Sequence, residues 1–112
     1  MRFHANHVST TVSGDYYQAV FEERVESSDS DAPYLLIQRQ FEIPDDGECY
    51  VETHNEEYIG HFRLHCVDFS PNGISFEIDR PNSRRIDVTL AMTPDEYRAA
   101  LPAIRIITKF GA

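Results

Sequence analysis

The sequence predicts a mostly β protein of the α+β class: an antiparallel meander sheet of about six strands with one C-terminal helix packed on it. Three observations support this prediction. Apolar and polar residues alternate strictly over residues 74–79 and 85–90, as they do in strands that bury one face. Ser-Pro-Asn-Gly at residues 70–73 is a strong turn signal. Thr-Pro-Asp-Glu at residues 93–96 combines a helix N-cap, a proline at the first helical position and a capping box.

Other segments of the chain have the same character. The segments with strand composition are residues 16–25, 34–41, 48–54, 58–69, 74–79 and 85–90. Turn signals separate them, including Pro-Asp-Asp-Gly at residues 44–47, and the polar, acidic residues 26–33 are typical of an exposed loop. Successive strands joined by short turns pair as a meander with one wet face.

The apolar positions predict a core that the helix helps to cover. Tyr97, Leu101 and Ile104 fall on one helix face, and Pro102 is expected to kink or end the helix. The pattern of residues 102–110 is compatible with either helix or strand. The strand residues expected in the core are Leu36, Val51, Phe62, Leu64, Phe76, Ile78, Ile86, Val88 and Leu90.

Length and charge limit the organisation and the partners. The chain of 112 residues is expected to form a single domain over residues 1–112. Its net charge is −9, and residues 15–57 hold thirteen acids against two arginines, a net of −11. Phosphate binding requires clustered Lys and Arg, so nucleic acid is not an expected partner. A basic protein surface suits the acidic half of the chain, although solubility alone would also explain the charge.

The environment of the protein is also predicted from composition. No stretch approaches the roughly 18 consecutive apolar residues of a membrane helix, and no apolar signal region follows Met1. We therefore expect a cytoplasmic protein without a membrane partner. Cys49 and Cys66 are too few for a disulfide framework and lack metal-type spacing, so both thiols are expected to be free and buried.

The nearest approach to a chemical site lies on the strands at residues 48–54 and 58–69. If they form a hairpin, apolar residues must face each other, which places Val51 opposite Phe62. This register predicts three outward cross-strand pairs, Glu52 with His61, Tyr50 with Arg63 and Glu48 with His65. Such a row is compatible with an ordinary solvated face, a partner-binding face or an acid–base site.

Chemistry at this row is the less favoured interpretation. His61 and His65 would lie roughly 13 Å apart along a strand, too far to share one metal ion. Solvated pairs on an open sheet also lack the water exclusion that catalysis uses. The sequence contains no phosphate loop, nucleophile elbow, HExxH or CxxC motif. We therefore expect no enzyme, no catalytic residues, no metal and no cofactor.

Three short motifs carry a family resemblance. They are Tyr-Leu-Leu-Ile-Gln-Arg at residues 34–39, Tyr-Val-Glu at residues 50–52 and Tyr-Ile-Gly at residues 58–60. In this order, followed by alternating strands and an acidic helix start at residues 93–97, they resemble the immunity protein 10 family of bacterial polymorphic toxin systems. The similarity covers roughly residues 20–110.

The resemblance implies a cytoplasmic antidote that binds a cognate toxin domain stoichiometrically and brings neither catalytic residues nor a cofactor. Combined with the charge distribution, it predicts that a basic toxin domain docks on a surface formed by Glu48, Tyr50, Glu52, His61 and Arg63. Two alternatives remain open. One is a small acid–base enzyme that uses Glu52 and His61, and the other is a structural or assembly protein that dimerises, even weakly, through an exposed edge strand.

Overall fold

The structure is a computed structural model that describes residues 1–24, 32–41, 47–78 and 84–110. Strands make up 56% of it and one helix lies at the C-terminus, so the predicted mostly β, α+β class is confirmed. Most of the predicted loop at residues 26–33 and of the predicted turn at residues 44–47 lies outside the described residues. Among those that are described, no helix is long and apolar enough to span a membrane.

Ten strands and one α-helix follow each other along the described chain. In order they are β1 (Arg2–His4), β2 (His7–Ser13), β3 (Tyr16–Glu22), β4 (Tyr34–Gln40), β5 (Cys49–Thr53), β6 (Gly60–Phe62), β7 (Leu64–Ser70), β8 (Gly73–Ile78), β9 (Arg84–Thr89), α1 (Pro94–Ile107) and β10 (Lys109–Phe110). A single 3₁₀ turn, Glu56–Tyr58, precedes β6. These strands form two five-stranded sheets, where the sequence had suggested one sheet of about six strands.

The first sheet contains β2, β3, β4, β5 and β6 in that order and is antiparallel throughout. Each strand pairs with its neighbour in sequence, which is the predicted meander. The tight connection between β2 and β3 contains Gly14 at φ +59°, a left-handed conformation that glycine adopts without steric cost.

The second sheet has the order β1, β9, β8, β7 and β10. Its three central strands form an antiparallel meander, and Cys66 and Asp68 flank a bulge that shifts the register of β7 against β8. β1 and β10 are short and pair in parallel with β9 and β7. No strand was predicted from the sequence at β1 or β2. Residues 102–110, which were compatible with helix or strand, divide between α1, which ends at Ile107, and β10.

One predicted strand is divided between the two sheets. The alternation of residues 58–69 predicted a single long strand, but β6 belongs to the first sheet and β7 to the second, with Arg63 between them. Phe62 and Leu64 on either side of Arg63 are both buried, so the chain changes sheets without breaking the alternation. A strand that bends from one sheet into another is a common way to join packed sheets.

The inner faces of both sheets share one hydrophobic core. Phe21 of β3 and Phe76 of β8 meet across it, with ring centroids 6.2 Å apart. Eight of the nine predicted core residues are buried. The exception is Leu36, for which the prediction was wrong: Leu35 and Ile37 fill the core, so alternation turns Leu36 to the opposite face.

The helix lies where the sequence placed it and packs against β2, β3 and β4. Thr93 accepts a hydrogen bond from the Glu96 amide and Glu96 accepts one from the Thr93 amide, which completes the predicted capping box. Ile104 is buried, and Tyr97 and Leu101 pack against the core as predicted. Pro102 does not end the helix, which continues to Ile107, and its ring lies on the exposed side of the helix.

Candidate functional site on the outward face of the first sheet

The outward face of the first sheet is formed by the even-numbered residues of its three central strands. Their odd-numbered neighbours, such as Phe21, Leu35 and Val51, fill the core. Each central strand contributes one tyrosine to the outward face. We define the tyrosine face as Tyr16, Gln18, Val20, Tyr34, Leu36, Gln38, Tyr50 and Glu52, all of which are half-buried.

Glu52 is the polar centre of the tyrosine face. The Tyr34 hydroxyl donates a hydrogen bond to Glu52 Oε2 at 3.2 Å, and the Tyr50 hydroxyl donates one to Glu52 Oε1 at 3.0 Å. Each carboxylate oxygen therefore has one phenol partner. A carboxylate offers about four lone-pair positions, so roughly two acceptor positions remain for an approaching donor.

The other end of the face is held by a neutral network. The Tyr16 hydroxyl donates to Gln38 Oε1 at 2.9 Å and also contacts the side-chain oxygen of Gln18. Gln18 and Gln38 are direct cross-strand partners in the pairing of β3 with β4. These contacts hold three long side chains in one arrangement, which lowers the conformational entropy that a binding partner would have to remove.

A short apolar strip crosses the face in line with Glu52. Leu36 pairs with Glu52 on β5 and with Val20 on β3, so Leu36 lies beside the carboxylate and Val20 lies one strand further away. The face therefore combines phenol rings, aliphatic carbon and one carboxylate, a mixture typical of the centre of protein–protein interfaces.

Four of the five predicted partner-binding residues lie on or beside this face. Tyr50 and Glu52 belong to it, and exposed His61 of β6 lies directly opposite Tyr50, with ring centroids 5.4 Å apart. Half-buried Glu48 immediately precedes β5. Arg63 is exposed at the crossing between the two sheets and belongs to neither, so it lies at the margin of the face.

The predicted register of the hairpin was wrong by two residues. Phe62 pairs with Cys49 rather than Val51, and His61 pairs with Tyr50 rather than Glu52. A shift of two keeps every side chain on its predicted face, so the burial pattern could not reveal the error. The predicted pairing of Glu48 with His65 also fails, because His65 lies in the second sheet opposite Glu77.

The electrostatic balance of the face is acidic. Within the five strands of the first sheet the only Lys or Arg is Arg39, which occupies a core-facing position of the alternation and lies over the Phe41 ring. Burial and then the charge and hydrogen bond of Glu52 raise the pKa of Tyr34. The hydrogen bond to Glu52, followed by burial, raises the pKa of Tyr50. Both phenols are therefore neutral donors at pH 7.

The arrangement does not bring an acid–base pair together. The hydrogen-bond partners described for Glu52 are tyrosines, and exposed His61 contacts the Tyr50 ring from the edge strand β6. Glu52 and His61 thus lie on an outward sheet face. Among the residues that the structure describes, no group of three or more His, Cys, Asp or Glu side chains is placed to hold a metal ion. His61 and His65 belong to different sheets.

Tyr16, Tyr34, Gln18 and Gln38 were not among the predicted site residues. The faces of β3 were not assigned from the sequence, and β4 was given the wrong phase when Leu36 was placed in the core. A signal was present in β3, where Tyr17, Ala19 and Phe21 form an apolar set on the face away from Tyr16 and Gln18. In β4 residues 35–37 are all aliphatic, so alternation does not show which face Tyr34 takes. No family model, curated protein or solved structure matches this chain.

Proposed function

We propose that this chain is a cytoplasmic immunity protein that binds and neutralises a cognate bacterial toxin domain, and that the tyrosine face docks a basic surface of that toxin. The motif resemblance at residues 34–39, 50–52 and 58–60 gives the class of function. The tyrosine face supports the mode of action, because inhibition by an immunity protein requires a stable surface rather than a reaction.

The single observation on which the docking proposal rests is Glu52 held by Tyr34 and Tyr50. Two phenols hold this half-buried carboxylate on the outward face of the sheet, in line with the apolar strip of Leu36 and Val20, and each of its oxygens can accept a further hydrogen bond. An Arg or Lys side chain of the toxin can use those positions, while its aliphatic stem covers the strip. Desolvation on docking would strengthen this ion pair compared with one in open water.

Different residues are expected to affect different rates. Tyr50 supplies ring area and a bond to Glu52, so its removal should mainly speed dissociation. Glu48 lies at the rim, where charge mainly accelerates encounter and makes it sensitive to salt. The acidic residues 42, 45 and 46 lie outside the described residues and are expected to add to the same field.

The test measures binding kinetics and rescue of growth against the toxin domain encoded next to this gene. Reversing two charges with Glu48→Lys and Glu52→Lys should slow association about tenfold or more at low salt. Tyr50→Ala should raise the dissociation rate by about tenfold or more. Circular dichroism melts establish that each variant is folded before its binding is measured.

The matched control makes the same change of net charge on the other side of the molecule. Asp68 and Glu77 are exposed residues of the second sheet, and Asp68→Lys with Glu77→Lys should leave association far closer to wild type. Unchanged association and full rescue by the Glu48/Glu52 variant would exclude this face. Equal slowing by both double variants would show that net charge matters and that the tyrosine face does not.

A further inference from the structure

The edge strand β2 differs from the other edges of the two sheets. β6, β1 and β10 are edge strands of three, three and two residues, whereas β2 has seven. An edge strand presents a row of backbone N–H and C=O groups that can pair with another strand. Short strands offer few such groups, so only β2 offers a long row among the described edges.

β2 also lacks the features that normally block an edge. Its sequence His-Val-Ser-Thr-Thr-Val-Ser contains no Lys, Asp, Glu or Pro. It pairs with β3 over its full length without a register shift, so no bulge bends it away. Residues 9–13 are all exposed. Four of the seven residues are Val or Thr, which favour extended backbone.

The sequence of β2 is complementary to itself. In an antiparallel pair of identical strands related by a two-fold axis, one residue lies directly opposite its own copy, and the axis passes between the two. With Thr10, the middle residue, on the axis, all seven residues find a partner. The pairs are then Thr10 with Thr10, Ser9 with Thr11, Val8 with Val12 and His7 with Ser13. Apolar meets apolar and hydroxyl meets hydroxyl, and no like-charged carboxylates or ammonium groups face each other.

A crevice beside β2 strengthens the same register. Val8, Thr10, Met92, Glu96, Ala99 and Ala100 line a cavity of about 150 Å³ between β2 and the helix. Val12 is 58% exposed, the most exposed large hydrophobic residue described. The Thr10 register places Val12 of one copy opposite Val8 of the other, at the mouth of this crevice. Pairing therefore covers an exposed valine with an apolar surface.

We propose that two copies of this chain pair antiparallel through β2, with Thr10 on the two-fold axis, to form one continuous ten-stranded sheet. A two-fold axis perpendicular to the sheet leaves both tyrosine faces on the same side and uncovered. The pairing therefore does not depend on the proposed function. A seam of one strand buries little surface, so the dimer forms with rising protein concentration.

Single cysteine substitutions test the distance between the two copies of β2. Opposite residues of antiparallel strands have Cα atoms about 4.5–5.5 Å apart, within the range for a disulfide, so Thr10→Cys should cross-link rapidly to its own copy in oxidised glutathione. Thr11→Cys is the matched control, because its two copies lie about 8 Å apart in this register and cannot bridge. The parent protein controls for Cys49 and Cys66, which are both buried.

Sedimentation measures the same pairing without cross-linking. The wild-type mass should rise from 12.9 kDa towards twice that value with concentration, and Thr10→Lys, which opposes two ammonium groups, should abolish the rise. A wild-type chain that stays monomeric, or Thr11→Cys that cross-links as fast as Thr10→Cys, overturns the proposal. The proposal also fails if the wild-type chain is monomeric and Thr10→Lys abolishes toxin binding, because β2 then pairs with the toxin rather than with a second copy.

Discussion

The two outward faces of this molecule consist of similar strands but satisfy their polar groups in opposite ways. On the second sheet, charge meets charge: Asp87 accepts hydrogen bonds from Arg85 Nε at 2.9 Å and from Ser75 Oγ at 2.7 Å. On the tyrosine face of the first sheet, neutral phenols bind the carboxylate of Glu52, and the sheet's other described carboxylate, Glu22 at the end of β3, accepts a hydrogen bond from Arg24 Nε at 2.9 Å. A face with internally paired charges gains little from being covered, whereas half-buried rings around a carboxylate that only phenols bind suit the basic partner proposed above.

The largest effect is expected at the core that supports both faces. Phe76 is fully buried and meets Phe21 across the two sheets, so Phe76→Ala should lower the free energy of unfolding by about 3–5 kcal/mol. Leu36→Ala is the matched control on the tyrosine face and should cost about 1 kcal/mol, because Leu36 is only half-buried. Urea melts measure both. A loss below about 1 kcal/mol for Phe76→Ala would contradict the shared core.

An intermediate effect, visible by spectroscopy, is expected on the tyrosine face. Because the pKa values of Tyr34 and Tyr50 are raised above 10.0, Tyr34→Phe and Tyr50→Phe should each remove a phenol that ionises late in an alkaline absorbance titration. Glu52→Gln removes the negative charge and should move both ionisations to lower pH. Folding stability should fall as pH rises above about 10, because unfolded phenols then lose protons before folded ones.

An unchanged titration in Glu52→Gln would show that the phenols do not bind this carboxylate in solution. Tyr17→Phe provides the control. Because Tyr17 lies on the other side of β3, beside Phe41, its substitution should leave the late ionisation of Tyr34 and Tyr50 unchanged.

The smallest effect is expected on the second sheet. Burial acts to raise the pKa of Asp87, but hydrogen bonds from Arg85 and Ser75 outweigh it and lower the pKa below 3.8. The ionised carboxylate therefore stabilises the fold above about pH 3.8, and this contribution is lost as pH falls through the folded-state pKa. Asp87→Asn should cost less than about 1 kcal/mol at neutral pH, since its partner Arg85 is exposed to solvent and the ion pair is screened.

Urea melts of wild type and Asp87→Asn at neutral and at strongly acidic pH test this sign. The gap between the two proteins should shrink in acid, and a gap of constant size would mean that ionisation of Asp87 is not its cause.

Much of the fold could be predicted from local pattern. The helix was predictable because Thr93, Pro94 and Glu96 encode its start in four consecutive residues. Most core residues were predictable because alternation alone assigns a side chain to a face. Leu36 was misassigned because Leu35, Leu36 and Ile37 are all aliphatic, so composition gave no phase for β4.

Non-local features could not be predicted in the same way. Alternation has a period of two, so it cannot detect a register error of two residues. The pairing of Tyr50 with His61 could therefore not be predicted from it. Alternation also cannot show that the chain passes from one sheet to the other at Arg63, because Phe62 and Leu64 are both buried. The site was predicted in part: Tyr50 and Glu52 were named, but Tyr34 comes from β4, which was given the wrong phase when Leu36 was placed in the core.

The parallel pairing of β1 with β9 has a consequence for the order in which the chain assembles. His4 and Thr89 touch across 85 positions of sequence, whereas each strand of the first sheet meets its immediate successor. Closing a loop of that length lowers the entropy of the chain before the contacts between β1 and β9 can form. The strands of the first sheet can therefore pair early. β1 can pair with β9 only after β8 and β9 have formed. The docking of β1 on β9 is therefore expected to be the slow step in completing the second sheet, whose central strands β7, β8 and β9 are neighbours in sequence.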